Sequence, residues 1–562
     1  MKKSVLCLLI AVFLLCSISN ASAMTLKIGI HNEPKTLNPF TARDVWSKHV
    51  LDRIYHDLYT LAPKTFELIP WLAEALPEYD KKTNTVIVKM RKTKWHDGTP
   101  LTAHDVVFTA NVIKDLKVPR YSSRWKFIKK IEALDDYTLK YTLSQPMATF
   151  YSRTLLTFIV QKKKWEPIIN EAKKTEKPLQ TFLNYKNDNP IGNGPFKFSS
   201  WRNGTSIKLV KNPDFFAKNR EIAGKKVGPY IDGILFKIYG TTDAAILALK
   251  NGDVDYIWWS IQPGFMQDLK EDTGVTLTEN KENGIRYLAF NMRKAPFNDK
   301  NFRQAVAYLV DKDFMVQRIL QNKGTRMESI VPPGNEYWHN PDMPEYGKGM
   351  TRAERVQKAV EILKKAGYTW KKEVKIKKDK VKPGKGLKMP NGKDLPEIDI
   401  LTPPADYDPL RAMAGIQVQG WLNEIGINAS AKPASMSFIS DKVKIKQDFD
   451  TYILGYLLGI DPSYLNSFFH SSEIKRRGRN TSAYKNERFD ELADECNKEM
   501  DMEKRKKLVF EMQSMLADDL PWIPFFNASV IEGHRQQRFT GWVNQLNGIG
   551  NSWSFLFMKP VQ

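Results

Sequence analysis

Residues 94–106 read KWHDGTPLTAHDV, and this stretch decides how the first part of the chain folds. In the preceding residues, 85–90, apolar and polar side chains alternate as they do in a half-buried strand. The Asp-Gly pair is a turn signal, because glycine tolerates the positive φ of a tight reversal. Thr102 and Asp105 have the spacing of a helix N-cap, and an apolar run follows them. The stretch therefore predicts a strand, a turn and the beginning of a helix.

The N-terminus has the features of an export signal. Residues 1–23 contain two lysines, an apolar run over 5–18 and an Ala-Ser-Ala cleavage site. The apolar run is short for a membrane span, which needs roughly 20 residues. Cys16 follows Leu15, which is larger than the residue that precedes the cysteine of a lipid-attachment motif. We expect signal cleavage, a periplasmic protein and no lipid anchor.

Cysteine content and length limit the ways in which the exported chain can be stabilised. Removal of the signal would leave Cys496 as the only cysteine, so a disulfide framework within one mature chain is excluded. Stability must then come from hydrophobic cores, and roughly 540 residues suffice for two or three domains.

The chain is strongly basic, with a formal net charge of +23. Residues 371–388 hold nine lysines and two acidic residues, and we expect this run to be a solvated insertion. A basic chain can attract nucleic acid, an anionic membrane surface or an acidic ligand. The sequence has no basic motif interleaved with aromatic residues, so nucleic acid is not an expected partner.

Strands and helices alternate along the chain, which predicts an α/β fold with mixed sheets. Asp299 is a predicted N-cap, and Thr351 with Glu354 has the spacing of a capping box. Two long amphipathic helices are expected over residues 410–425 and 486–516.

Seven segments, in this order, resemble landmarks of the family-5 solute-binding proteins, the dipeptide and oligopeptide receptors of ABC importers. They are residues 37–39, 95–106, 192–196, 212–216, 245–255, 287–305 and 520–524. The resemblance implies a two-lobed periplasmic-binding-protein fold that closes on its ligand by hinge bending. It extends over nearly the whole mature chain.

The resemblance also implies a domain division. Lobe I would combine residues 24–282 with 527–562 and would carry a subdomain at about 61–184. Lobe II would comprise residues 283–526. A solute bound between the lobes would be delivered to a membrane permease and its ATPase by a receptor that is expected to be a monomer.

Dipeptide-binding relatives hold the ligand ammonium with an aspartate and its carboxylate with an arginine. Here the aspartate position falls on Leu458 or Gly459, and residues 405–409 contain no arginine. An unpaired ligand charge buried on closure would cost several kcal/mol. A dipeptide specialist is therefore not expected, and an oligopeptide is the favoured ligand.

The candidate ligand contacts are aromatic and amide side chains on the segments that resemble the family's ligand loops, together with one carboxylate. They are Asn38, Asn193, Trp258, Trp259, Tyr407, Tyr456, Asp461 and Tyr464. Strand alternation sends Trp258 and Trp259 to opposite faces, so we expect at most one to face the cleft. Because aromatic platforms with amides also suit sugar rings, an oligosaccharide remains the second choice.

Other functional classes have less support. The chain has no nucleophile elbow, no zinc-protease motif and no phosphate-binding glycine loop, so an enzyme is not expected. No spaced cluster of metal ligands is evident, and His470 is expected at the surface or in packing, so neither a metal nor a cofactor is expected. A sensor or a chaperone-like protein on the same fold stays open.

Overall fold

A twelve-stranded mixed sheet connects the two lobes in the computed structural model, which describes residues 24–378 and 380–561. The predicted signal peptide lies outside the described residues. Ten strands follow one another in the sheet. Their order is Phe196–Arg202, Ser206–Lys211, Gly233–Ile238, Thr25–Ile30, Tyr256–Ile257, Trp522–His534, Gly284–Phe290, Thr451–Leu457, Ile398–Thr402 and Ala429–Pro433.

The sheet is mixed because both lobes contain parallel and antiparallel neighbours. Thr25–Ile30 is parallel to Gly233–Ile238, and Ile398–Thr402 is parallel to Ala429–Pro433. The hairpin of Phe196–Arg202 and Ser206–Lys211 is antiparallel. The predicted α/β class and two-lobed architecture are confirmed.

One long strand, Trp522–His534, joins the lobes. Its first part pairs with Gly284–Phe290, and its second part pairs with Thr276–Lys281. Gly324–Arg326 pairs with its middle. This strand therefore pairs along its length with strands from both parts of the sheet.

A separate four-stranded sheet follows the first helix. Its order is Glu78–Asp80, Thr85–Lys89, Thr138–Leu143 and Ile128–Asp135. The smaller strand pairs are Tyr59–Leu61 with Leu68–Pro70, Thr93–Lys94 with Pro100–Leu101, Glu221–Ile222 with Lys225–Lys226, Thr369–Lys372 with Lys385–Lys388, Lys375–Lys377 with Lys380–Lys382, and Phe539–Thr540 with Lys559–Pro560.

The α-helices lie between and around these strands. They are Val45–Ile54, Ala103–Asp115, Ser122–Trp125, Lys162–Lys173, Pro178–Asn184, Thr242–Lys250, Met266–Glu271, Lys300–Leu309, Lys312–Phe314, Arg352–Lys365, Pro409–Glu424, Met436–Ser440, Tyr464–Phe469, Glu487–Lys498, Met502–Asp519 and Ser552–Phe557. Short π-helical turns span Phe150–Thr154, Met315–Ile319 and Asp441–Lys446, and 3-10 turns span Pro263–Phe265 and Ser471–Glu473. No helix in the described part of the chain is long and apolar enough to cross a membrane.

The prediction of one helix over residues 486–516 is wrong. The first helix ends at Lys498, and Asp501 accepts hydrogen bonds from the backbone N–H groups of Glu503 and Lys504 to begin a second. An aspartate side chain competes for backbone donors in this way, so it starts a new helix instead of continuing the old one.

Residues 94–106 are held inside the first lobe by hydrogen bonds. The backbone N–H of Thr102 donates to the Asp105 carboxylate at 2.9 Å, and the Trp95 indole N–H donates to it at 3.2 Å. The backbone N–H of His96 donates to the Gly192 carbonyl, which fixes the glycine-rich loop that leads into the strand Phe196–Arg202. This motif is part of the scaffold.

Hydrophobic side chains form separate cores. The first draws on residues between 26 and 258 and between 539 and 558, whereas two others draw on residues between 285 and 528. Separate cores let the lobes move as bodies, because motion at the junction disturbs neither interior.

Candidate ligand-binding cleft between the lobes

A cleft of about 830 Å³ opens beside the strand junction. It is lined by residues 63–67, 280–281, 334–338, 460, 502–503 and 544–546. Its walls combine apolar side chains with polar pairs: Lys281 pairs with Glu336 at 3.1 Å, and the Tyr337 hydroxyl donates to Glu503 at 2.9 Å. The volume lies within the range of sites for small molecules and short peptides.

The two lobes touch at Asp461, which follows the cleft residue Ile460. The Ser152 hydroxyl, on the π-helical turn of the first lobe, donates to the Asp461 carboxylate at 2.9 Å. Arg505 holds the same carboxylate with two hydrogen bonds, at 2.6 and 3.1 Å. Burial alone would raise the pKa of Asp461, but the Arg505 guanidinium holds it well below its usual value. Asp461 therefore links the lobes as a carboxylate that is already paired.

Arginine side chains gather on the first-lobe side of this contact. The guanidinium carbons of Arg120 and Arg124 lie 5.3 and 5.6 Å from the centre of the Tyr121 ring. Burial lowers the pKa of Arg153, the Asp461 carboxylate opposes that shift, and Arg124 lowers it further. None of these three arginines forms an ion pair with a residue that the structure describes. The cluster is therefore a concentration of positive charge beside the lobe contact.

Several buried polar atoms in this region have no hydrogen-bond partner among the described residues. They are Nη1 of Arg120, Oδ1 of Asp57, Oγ of Ser463 and Oη of Tyr464. Burial raises the pKa of Asp57 to about 8, against the opposing effect of Lys48 and Arg124. A carboxyl with that pKa is mostly protonated at neutral pH, so it neutralises little of the arginine charge.

The two predicted amides have partners within the first lobe. Asn38 is fully buried, and its side chain donates to the Tyr185 carbonyl at 2.8 Å and accepts from the Phe40 N–H at 2.9 Å. Asn193 accepts from the His56 N–H at 2.7 Å and donates to the His56 carbonyl. Both amides fix loops within the first lobe, and ligand contact by either of them stays a prediction.

The predicted tryptophans join a third, Trp46. Trp258 stacks on His49 with ring centres 3.8 Å apart, and Trp46 lies 5.1 Å from Trp258 and 5.2 Å from Trp259. Trp259 is 42% exposed, whereas Trp258 is half-buried. Of the two, Trp259 offers the more accessible ring.

The predicted tyrosines differ in accessibility. Tyr407 is 61% exposed and lies 5.7 Å from the Arg411 guanidinium. Tyr456 is half-buried and packs against Phe468 with ring centres 4.8 Å apart. Tyr464 is buried, and its hydroxyl is one of the unpartnered atoms beside Asp461. Ligand contact by these residues stays a prediction.

The next arginine after residues 405–409 is Arg411. It lies one turn later, at the beginning of the helix Pro409–Glu424, and its Nε donates to Asp408 at 2.7 Å. The hydrogen bond to Asp408 therefore already uses part of the Arg411 guanidinium.

Metal ligation has no geometric support in the described residues, which contain no group of three candidate metal-binding side chains. His470 lies 3.8 Å from Asp490 and 3.6 Å from Asp494, and its ring accepts from the Ser472 N–H. It caps a turn, as a packing histidine does.

Two lobes joined by a paired-strand junction, with an open cleft between them, define a protein that binds a solute by closing around it. The chain belongs to the bacterial extracellular solute-binding proteins of family 5, whose match covers residues 67–476. It is a transport receptor, and the predicted absence of enzymatic activity agrees with this family.

Similar proteins support this assignment. Oligopeptide-binding protein AppA of Bacillus subtilis is 26% identical over 503 residues, covering 88% of this chain and 85% of that protein. The probable D,D-dipeptide-binding periplasmic protein DdpA of Escherichia coli is 27% identical over 450 residues, covering 80% and 76%. The structure of Bacillus subtilis AppA with a nonapeptide has a TM-score of 0.71 at 23% identity, covering 96% and 99%.

Proposed function

We propose that this chain is the periplasmic receptor of an ABC importer for oligopeptides and that it delivers them to a membrane permease as a monomer released by signal cleavage. Support comes from the relatives that are named for oligopeptide or dipeptide binding. The cleft volume of about 830 Å³ also has room for several residues of a peptide.

The observation that carries the proposal is the set of unpaired arginines beside the lobe contact. A peptide has a terminal carboxylate, and a guanidinium is its strongest side-chain partner in a site that excludes water. Arg120, Arg124 and Arg153 supply that charge from the first lobe, in place of the second-lobe arginine that dipeptide receptors use. Ser463 and Tyr464 add hydroxyl groups from the opposite side.

We further propose that the lobes pivot where the chain passes between residues 282 and 283 and again between 526 and 527. Lobe I then comprises residues 24–282 and 527–562, and lobe II comprises 283–526. Trp522–His534 changes its partner strand at this point, which supports the second boundary. The Asn527 side chain donates to the carbonyls of Glu282 and Gly284 and so connects the two segments that pass between the lobes.

The test compares two peptide pools of identical sequence, one with free C-terminal carboxylates and one with C-terminal amides. Ligand-stripped protein should melt at a higher temperature with the free-acid pool, because ligand binding adds RT ln(1 + [L]/Kd) to its stability. The amide pool should stabilise it much less. Failure of both pools would overturn the peptide assignment, and equal stabilisation would overturn the arginine assignment alone.

Arginine variants test where the terminal carboxylate of a peptide binds. Arg153→Gln should weaken binding of a free-acid peptide by roughly 30-fold, since loss of one partner of a desolvated charge pair costs about 2 kcal/mol or more. It should leave binding of the amide unchanged. Arg202→Gln is the matched control, because Arg202 is exposed at the end of a first-lobe hairpin strand.

The group of Trp46, Trp258 and Trp259 favours one second candidate, an oligosaccharide. Exposed indole rings stack on sugar rings, and Trp259 is the accessible member. Thermal shifts with an oligosaccharide pool, in wild type and Trp259→Ala, decide between the candidates. Stabilisation by sugars that Trp259→Ala abolishes would replace the peptide proposal.

A further inference from the structure

The lysine-rich segment is a folded hairpin with like charges placed opposite one another. Lys372 faces Lys385 across one strand pair. Lys375 faces Lys382, and Lys377 faces Lys380, across the next. Like charges directly opposite in a sheet are destabilising, so the hairpin holds three unfavourable pairs.

Apolar side chains and backbone hydrogen bonds anchor the hairpin to the second lobe. Ile376 and Val381 pack against its core, and Leu387 is buried. The Trp370 indole donates to the Ile425 carbonyl at 2.6 Å, and Gly384 donates its N–H to the Glu424 carbonyl at 3.0 Å. Lys375, Lys377, Lys380 and Lys382 are therefore held on the face opposite Ile376 and Val381, and Lys372 and Lys385 are exposed as well.

Few acidic residues neutralise this array. Lys371 pairs with Asp394 at 2.9 Å, and Glu373 pairs with Lys364 of the neighbouring helix. The six lysines that face one another across the strands form no ion pair with any residue in the described ranges 24–378 and 380–561. All six are exposed.

We propose that this lysine face binds the anionic phospholipid surface of a membrane. Every basic residue in 371–388 is a lysine. Arginine would be expected for bidentate recognition of carboxylates on a protein, whereas an ammonium group is a point charge without directional demand. A rigid array of point charges matches a fluid surface of phosphate headgroups. Binding holds the receptor close to the membrane in which an importer resides.

The experiment uses the full mature chain and vesicles of phosphatidylcholine, alone or mixed with phosphatidylglycerol. Co-sedimentation should show binding only to the mixed vesicles, and the binding should weaken as salt increases. Replacing Lys375, Lys377, Lys380 and Lys382 by threonine should weaken it by several hundredfold, at about fivefold for each lysine brought to the surface. Threonine keeps the strand propensity, and the melting temperature checks that the variant folds.

The control variant removes the same amount of charge elsewhere. It replaces four exposed lysines of the first lobe by threonine: Lys81, Lys82, Lys225 and Lys226. It should keep most of the binding. Equal losses in the two variants would show a general effect of net charge and overturn the proposal. Absence of wild-type binding to phosphatidylglycerol vesicles at low salt would also overturn it, whether or not peptides bind the cleft.

Discussion

At the scale of single residues, Gly192 is held against a helix end by a close approach that no side chain permits. A Cβ atom at this position would lie 2.0 Å from the Ile54 carbonyl oxygen, to which Asn193 and Gly194 donate their N–H groups. Gly192→Ala should therefore lower the free energy of unfolding by about 3 kcal/mol. Gly420→Ala is the control, since nothing lies within 4 Å of its Cβ position and alanine favours the helix. Equal stability of the two variants in urea unfolding would contradict this reading.

Glu532 is expected to make stability depend on pH. Burial raises its pKa to about 7, against the hydrogen bonds from Tyr256 and from the Ile549 N–H, which lower it. Between pH 4.5 and about 7 the folded state holds a proton that the unfolded state has lost, so stability falls as pH rises through this range.

Glu532→Gln cannot ionise, so it should escape this loss. Relative to wild type it should gain up to about 3 kcal/mol between pH 4.5 and pH 8, measured by urea unfolding. Glu336→Gln, whose side chain is 79% exposed in the parent, should show no such gain. A constant difference between Glu532→Gln and wild type across the range would rule out Glu532 as the source.

Residue roles in the cleft were only partly accessible from the sequence. Asn38 and Asn193 occupy loops that resemble ligand loops, but hydrogen bonds to distant backbone groups occupy their amides. Arg153 lies on a π-helical turn, and no local pattern marks it. Its proposed role rests on a position beside Asp461, which is 308 residues later in the chain and reaches it only through the fold.

At the scale of secondary-structure elements, helix caps were predicted well because each depends on two residues that are three positions apart in the sequence. Thr351 accepts from the Glu354 N–H, and the Glu354 carboxylate accepts from the Thr351 N–H, as the capping box requires. The interruption after Lys498 was missed because apolar periodicity continues through it. The hairpin over residues 369–388 was also missed, since its strands are short and mostly lysine, which is a poor strand former.

The hairpin register gives a prediction about stability. Lys380→Glu combined with Lys382→Glu turns two repulsive cross-strand pairs into attractive ones. The double variant should gain about 1 kcal/mol in urea unfolding at low salt, and the gain should shrink at high salt. Lys378→Glu is the control, because Lys378 lies in the turn, outside both strands. A gain of the same size from Lys378→Glu would show that only net charge matters.

At the scale of the whole molecule, the order of short motifs identified the fold more securely than any one of them. The motifs mark scaffold positions, such as the Thr102–Asp105 cap and the glycine-rich loop at residue 192, on which the packing of the first lobe depends. Ligand contacts are under no such structural constraint. The fold was therefore predictable from the sequence, whereas the charge pattern of the cleft required three-dimensional proximity between the lobes.

Closure of the lobes should depend on the contact between Ser152 and Asp461. This hydrogen bond joins side chains 309 residues apart, one from each lobe. A hydrogen bond to a charged group contributes about 1.5 kcal/mol or more, so Ser152→Ala should shift the balance between open and closed forms about tenfold toward the open form. Small-angle scattering should then give a larger radius of gyration for the ligand-stripped variant. Ser144→Ala is the matched control, because Ser144 donates only to the Phe127 carbonyl within its own subdomain. If the two variants scatter alike, the lobes close without help from Ser152, and the bond forms only as a consequence of closure.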